Sequence, residues 1–459
     1  MTPSSGRREP WQEALLAEGR VFLVGGAVRD RLLSRSELPD RDYLVTGVPF
    51  PRLAALLREH GHVDAVGSSF GVLKFRAAGA AETVDVALPR RDRSTGEGHK
   101  DFEVDFDPHL PVEIDLGRRD FTVNAMAWDV ATGELLDPLG GRRDLDARLL
   151  RMTYPGSFLE DPLRMLRGVV FAARFGMQFE SKTWEALRSE APRLDTVSRE
   201  RVRDEFVKLL TLAPVPSVGF RLLLAGGLLA RILPELARGA GVEQNEHHRW
   251  DVLEHGLRTL DALAGAPLPL LLAGLLHDVG KVDCRREVRE EGEARVVFYG
   301  HEKSGAELAE RTLRRLRFPE RTLDRAVLLV GRHMFDYQPE WTDAAVRRLI
   351  SGVGEDAVDD LLRLRFADRV ASGTKPEDPW GAKLAARVRR EVESRHAFRV
   401  SDLAIGGEEV MEALGSGPGP EVGRALAWLL ERVLEDPARN EPAELRRLLR
   451  ELPAHGEAG

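Results

Sequence analysis

Short β-like runs in this chain are confined to its first third. Val21 to Val24, Asp42 to Val45, Val72 to Phe75 and Thr83 to Ala87 alternate with helical stretches and turn residues up to about Leu150. That alternation predicts a small α/β domain. Beyond Pro155 the apolar spacing becomes helical, as in Pro162 to Phe175, Glu200 to Thr211 and Val218 to Ile232, so the remainder is expected to be all-α. A helical block from about Gly241 to Gly373 holds six of the twelve histidines. Pro/Gly-rich stretches at Gly373 to Trp380 and Gly415 to Pro420 read as a linker and a helix break. The chain's 459 residues suffice for about three domains of roughly 150 residues. The pattern divides it into a head (1–150), a helical neck (151–240), a histidine-bearing domain (241–373) and a helical tail (374–459).

Charge excludes a protein that coats nucleic acid indiscriminately, because 67 basic residues face 75 acidic ones, a net of −8. A local basic groove stays compatible with that balance. The longest apolar stretch, Leu268 to Leu276, is interrupted by Pro269 and Gly274 and falls well short of the roughly 20 residues a membrane helix needs. No membrane association is expected. The first ten residues are polar and Cys284 is the single cysteine, which reads as a reducing, cytoplasmic context.

Val21 to Val24 followed by Gly25, Gly26 and the helical Ala27 to Leu33 is a strand, a glycine pair and a helix start. Backbone amides at such a turn can approach a phosphate closely, although a glycine pair alone is more often just a tight turn. About fourteen residues later comes Asp40-Arg41-Asp42-Tyr43-Leu44-Val45. On a strand, carboxylates at i and i+2 share one face and can bracket divalent metals. In a two-metal site one ion acidifies an attacking hydroxyl while the other neutralises a triphosphate. Asp85, in another candidate strand, is a third acid able to complete the cluster. In isolation an Asp-x-Asp is a solvated strand edge.

With these residues the chain resembles the nucleotidyltransferases of the polymerase-β superfamily, and within it the bacterial tRNA nucleotidyltransferases that add CCA. The resemblance rests on Gly25 to Asp30 with Asp40-Arg41-Asp42, then Arg118 to Ala125, then Asp137-Pro138 with Gly141 and Asp144-Leu145, then Glu160 to Arg164, then Glu200-Arg201 with Glu205. It implies a polymerase-β-like head, Mg2+ held by Asp40 and Asp42, and contacts from Arg29, Arg118, Arg119 and Asp120 to ribose and triphosphate. CTP, ATP and tRNA are the implied partners, and Arg167 is implied to meet phosphate. Two positions depart from the family pattern: Val170 stands where an arginine is common, and Ser34 where glycine is usual.

Asp161 and Arg164 are three apart on the predicted helix and so share a face. An aspartate accepts hydrogen bonds and an arginine only donates, a combination that suits the amino donor and ring-nitrogen acceptor of cytosine or adenine. Uracil and guanine would leave groups unpaired at a steep cost. Arg201 and Glu205, at i and i+4, are expected to pair and to steady this helix. Pro89 to Ile114, with Arg90, Arg91, Arg93, Gly96 and Gly98, is mobile in composition and falls where the family carries a flexible loop.

His255, His277-Asp278, His301, His333 and Asp368 recur over the third block, and imidazole with carboxylate suits a transition metal. His277-Asp278-Val279-Gly280-Lys281 with Ala367-Asp368 resembles the HD metal-dependent phosphohydrolases, and His301 and His333 would permit a second metal. That resemblance implies hydrolysis of a phosphomonoester or cyclic phosphate. Relatives that make poly(A), or add only CC or only A, share all five of the motifs between Gly25 and Glu205. A phosphohydrolase with a regulatory nucleotide-binding head, and a non-catalytic RNA-binding protein, are the alternatives from other classes.

Overall fold

The computed structural model describes residues 8–34, 41–65, 71–94, 102–245, 249–290, 293–338, 340–373 and 381–452. They form two compact units, Met1–Ile232 and Leu233–Gly459.

In the first unit Val21, Phe22, Leu23 and Val24 are all buried, as an uninterrupted apolar run requires when both faces of its strand are covered. That run is β1 (Arg20–Val24). Around it lie β2 (Asp42–Thr46), β3 (Gly61–Ala65), β4 (Val72–Ala77), β5 (Val84–Ala87), β8 (Ala127–Asp129) and β9 (Leu135–Leu136), in the order β3-β4-β5-β2-β1-β8-β9. All neighbours are antiparallel except β2 and β5, whose parallel register sets Asp42 beside Asp85. The register of β4 on β5 sets Lys74 beside Asp85 on the other side. The four strands read from the sequence are present, whereas β3, β8 and β9 were not legible in it. Asp40 lies outside the described residues.

Part of the stretch Pro89 to Ile114 forms regular structure. Within it β6 (Arg90–Ser94) and β7 (Phe102–Phe106) pair as an antiparallel hairpin, and a helix begins at Val112; residues 95–101 lie outside the described residues. Ser34, where glycine was expected, has φ +55, so it adopts the left-handed backbone that glycine favours.

The neck helices follow the predicted spans closely, at Leu163–Phe175 and Arg199–Leu212. The expected helix from Val218 to Ile232 is instead two, Pro216–Ala225 and Leu229–Ile232, because Gly227 turns the chain at φ +76. Asp161 does not share a helix with Arg164. It has φ −135 and ψ 96, the extended geometry imposed on a residue that precedes proline, here Pro162. Val170 is buried in the core and offers no nucleotide contact.

In the second unit, helices Val252–Ala262, Leu268–Leu276, His301–Arg315, Glu320–Arg332 and Glu355–Ala371 carry the histidine-bearing block. The all-α expectation fails locally, since Arg286–Glu290 and Glu293–Val297 pair as an antiparallel hairpin. Valines at 288, 296 and 297 account for it, since β-branched residues favour strands over a short helix. The tail helices Gly407–Leu414, Pro420–Glu435 and Pro442–Leu449 close around Val410, Leu429, Val433 and Leu445. Arg347 joins them to the preceding helices: it pairs with Glu391 at 3.0 Å and donates to the carbonyl of Leu434 at 2.7 Å. Among the described residues no helix is long and apolar enough to cross a membrane.

Candidate active site and metal cluster

Gly25 ends β1 with φ +70. A Cβ built on it would lie 2.6 Å from Nη1 of Arg119 and 3.8 Å from Oδ2 of Asp42. The bare glycine backbone, a guanidinium and a carboxylate therefore converge at one point. Gly26 follows at the first position of the helix Gly26–Leu32. Asp85 is held by Lys74, whose Nζ lies 2.9 Å from Oδ1. Arg29, expected at the nucleotide, turns inward instead. It is buried, donates to Asp30 at 2.8 Å and to Asn124 at 2.6 Å, and stacks on Phe171 and Phe175 at 5.1 and 4.5 Å. Burial lowers its pKa, against the attraction of Asp30.

Arg118 and Arg119 are both aimed by Asp115. This carboxylate, wholly buried, accepts from Nε of Arg118 at 2.9 Å and from Nη2 of Arg119 at 3.1 Å. Burial pushes the Asp115 carboxyl up, and the two arginines together push it further down, so that it stays ionised. Asp120 is also inside, where Arg167 donates to it at 2.9 Å and Asn124 at 2.9 Å. Burial alone would raise the Asp120 pKa, but Arg167 and the hydrogen bonds lower it. Arg167, expected at phosphate, is thereby a partner of Asp120.

Asp161 and Arg164 are each fixed by other groups. Arg201 donates to Oδ2 of Asp161 at 2.9 Å, and Oδ1 accepts from the amide of Leu163 at 3.2 Å. Arg201 thus reaches Asp161, the partner its i,i+4 spacing to Glu205 did not suggest, while Lys208 donates to Glu205 at 2.8 Å. Arg164 donates to Ser157 Oγ at 2.9 Å, to the Tyr154 hydroxyl at 3.1 Å and to the Arg118 carbonyl at 2.8 Å. Tyr154 in turn donates to Glu160. Burial, reinforced by Glu160, pushes the phenol up to about 12, so it remains a neutral donor.

In the second unit six side chains converge. His255, His277 and Asp368 form one group and Asp278, His301 and His333 another, with ligand atoms in each group all within 4.8 Å of one another and all six residues buried. The Nδ1 atoms of His277, His301 and His333 lie 2.9, 2.8 and 2.7 Å from the carbonyls of Gly274, Phe298 and Val330. A carbonyl only accepts, so Nδ1 carries the proton and Nε2 of the neutral ring presents its lone pair. The Nε2 atoms meet in pairs, His255 to His277 at 3.2 Å and His301 to His333 at 3.3 Å, and Nε2 of His255 also lies 3.0 Å from Oδ1 of Asp368. The facing lone pairs of His301 and His333 repel at that distance unless a cation or a proton lies between them. Asp278 spans both groups, with Oδ2 3.3 Å from His255 and His277 and Oδ1 3.4 Å from His301. This donor set fits divalent metal. Burial depresses His277, but Asp278 and Asp368 outweigh it and push the ring up to about 10.

Three family models match successive parts of the chain. Residues 21–151 match the family model of the poly A polymerase head domain, residues 176–239 that of the probable RNA and SrmB-binding site of polymerase A, and residues 245–372 that of the HD domain. The chain is 37% identical over 422 residues to an A-adding tRNA nucleotidyltransferase of Deinococcus radiodurans, covering 89% of this chain and 90% of that protein. The chain belongs to the tRNA nucleotidyltransferase family. A CC-adding member from Thermus thermophilus is 37% identical over 429 residues, covering 90% of each chain. A multifunctional CCA protein of Alkalilimnicola ehrlichii is 40% identical over 326 residues, 69% of this chain and 74% of that one. Among solved structures, the Bacillus stearothermophilus CCA-adding enzyme in complex with CTP superposes with a TM-score of 0.72 at 26% identity over 98% of both chains.

Within this nucleotidyltransferase, sequence reasoning missed Asp115, Tyr154 and Ser157. Asp115 carried a signal, since an acid three and four residues before two consecutive arginines reaches both along one helical turn. Tyr154 and Ser157 carried none, because their contact with Arg164 spans two helices and the turn before them.

Proposed function

We propose that this chain transfers CMP and AMP from CTP and ATP to the 3′ end of tRNA. The terminal hydroxyl oxygen bonds to the α-phosphorus, the bond from that phosphorus to the bridging oxygen breaks, and pyrophosphate leaves. The convergence of Gly25, Asp42 and Arg119 carries this reading, because a nucleotidyl transfer site needs room for phosphate, a metal-holding carboxylate and a cation at one place. Asp40 and Asp42 hold Mg2+, with Asp85 as the third acid. Mg2+, when bound, neutralises the triphosphate and acidifies the attacking hydroxyl. Gly25 and Gly26 let the backbone approach the phosphates. Arg118 and Arg119 meet triphosphate and ribose on the support of Asp115, and Asp120 with Arg167 fixes the floor beneath them.

Asp161 and Arg164 read the base as a unit pre-set by Arg201, Ser157 and Tyr154, which spares the site the cost of ordering them when nucleotide arrives. Their donor and acceptor pattern matches cytosine and adenine. The neck and tail carry the tRNA, and the reaction belongs to the cytoplasm. The test is incorporation on tRNAs ending before CCA, in C and in CC, with CTP, ATP or both. Ordered addition of C, C and A, abolished by Asp42→Ala, bears the reading out. Addition of only C or only A assigns this chain one part of the sequence, and a long A tail makes it a poly(A) polymerase. No incorporation by folded protein sinks the reading.

A second activity is favoured by the paired imidazoles of the second unit. His255, His277, Asp278 and Asp368 hold one transition-metal ion, and Asp278 with His301 and His333 a second, for hydrolysis of a phosphate ester. Lys281, whose Nζ lies 2.6 Å from Asp278, orients that carboxylate and balances its charge.

A further inference from the structure

The parallel register of β2 on β5 sets the carboxylates of Asp42 and Asp85 directly opposite each other on neighbouring strands. Paired residues of adjacent strands share a face of the sheet, and like charges placed in that way repel. The antiparallel register of β4 on β5 adds Lys74 to the same row. Leu73 and Phe75 are buried, so the alternation of β4 sends Lys74 to the other face, where the carboxylates stand. Its Nζ lies 2.9 Å from Oδ1 of Asp85, with the two side chains 47% and 37% exposed. An ion pair as exposed as this contributes little to stability, which leaves its charge as what Lys74 brings to the row. At the other end of the row stands Arg119, whose Nη1 shares with Oδ2 of Asp42 the space beside Gly25. The two cations are held differently. Asp115 accepts from Arg119 at 3.1 Å and anchors that guanidinium, whereas an ammonium on a flexible four-carbon stem can release one oxygen without leaving the face.

We propose that Lys74 is a positioning residue that sets how tightly the carboxylates of the first unit hold a divalent metal. With no ion bound, its ammonium offsets the repulsion between Asp42 and Asp85 and engages one Asp85 oxygen. An arriving cation competes with it for that negative charge, so the nucleotide-free site binds metal weakly. A triphosphate adds negative charge beside the row and shifts the balance, which makes metal loading depend on nucleotide. This rests on the reading of Asp40 and Asp42 as the residues that hold Mg2+.

The test titrates the full chain with Mn2+, with and without CTP, and reads the free ion by electron paramagnetic resonance. Asp42→Ala identifies the site of the first unit, because it removes that site and leaves any ions held by the histidine cluster. Lys74→Met deletes the charge and keeps an unbranched stem, Lys74→Gln repeats the deletion with a polar side chain, and Lys74→Arg keeps the charge. Thermal melts confirm that the variants fold. Lys74→Met and Lys74→Gln are expected to tighten Mn2+ binding to the nucleotide-free protein about three- to tenfold, the effect of a unit charge about 6 Å from a divalent ion in a nearly aqueous dielectric. The ratio between affinities with and without CTP should narrow by a similar factor, while Lys74→Arg should stay within about twofold of wild type because its charge is unchanged. Unchanged or looser Mn2+ binding on loss of the charge, or the same tightening in Lys74→Arg, overturns the proposal. Failure of the underlying reading looks different: Asp42→Ala then removes no Mn2+ from the titration.

Discussion

Replacing Asp115 by asparagine keeps its volume and removes the charge that aims Arg118 and Arg119. Hydrogen bonds to charged groups each contribute about 1.5–3 kcal/mol, and breaking a buried pair from one side costs about 3–5 kcal/mol. Here the carboxylate is wholly buried, while the side chains of Arg118 and Arg119 are 23% and 20% exposed. Water recovers part of the loss, which sets the expected destabilisation near the lower end, about 3 kcal/mol. For a unit of this size that is roughly 6–12 °C in Tm. On the proposed role of the arginines, which bind the triphosphate before and during transfer alike, KM for CTP and ATP should rise about 10- to 100-fold, equivalent to about 1.4–2.8 kcal/mol, with kcat little changed. Initial rates against nucleotide concentration, at a temperature where melts show the variant folded, measure this. A folded Asp115→Asn protein with wild-type KM for both nucleotides refutes the reasoning. Acid supplies a second check. Asp115 has a lowered folded pKa, so its contribution is present above the unfolded value of 3.8 and disappears as pH falls through the folded one. The stability gap between wild type and variant should close over that window.

Gly25→Ala forces a side chain into φ +70 and against Arg119; strain of about 1–2 kcal/mol and a displaced guanidinium should reduce CTP and ATP incorporation at least tenfold while tRNA binding, read by gel shift, is retained. Arg201→Ala frees Asp161, and the ratio of CTP to UTP incorporation should fall about tenfold or more, whereas an unchanged ratio removes Arg201 from base reading. Exhaustive chelation should leave His277 protonated in the second unit. Its raised pKa means that the stabilisation is complete below the unfolded value of 6.5 and is lost as pH rises through about 10, so the metal-free protein should melt earlier at pH 10 than at pH 7. Metal must displace that proton, so calorimetry in buffers of different ionisation heat should register proton release on adding Mn2+ or Ni2+, with affinity rising with pH.

Much of this protein was determined by the sequence alone. The β1 run is apolar without interruption, which marks a buried strand, and the glycine pair with Asp40 and Asp42 carries the resemblance to nucleotidyltransferases. Helix-period spacing placed Leu163–Phe175 and Arg199–Leu212 to within a residue or two, and the recurring histidines marked the metal-binding block. These features are local, written in the order of side chains along one segment. Tertiary structure alone decided what each charged group meets. Arg29 went to the core, where neighbouring Asp30 neutralises it and Asn124 accepts from it, while Arg167 went to Asp120 and Arg201 to Asp161, carboxylates far away in the chain. Pro162 kept Asp161 off the helix of Arg164, and only the packing of separate turns brought Tyr154 and Ser157 to that arginine. The paired imidazoles likewise depend on four helices converging, and no spacing within any one of them encodes a distance of 3.2 Å between His255 and His277.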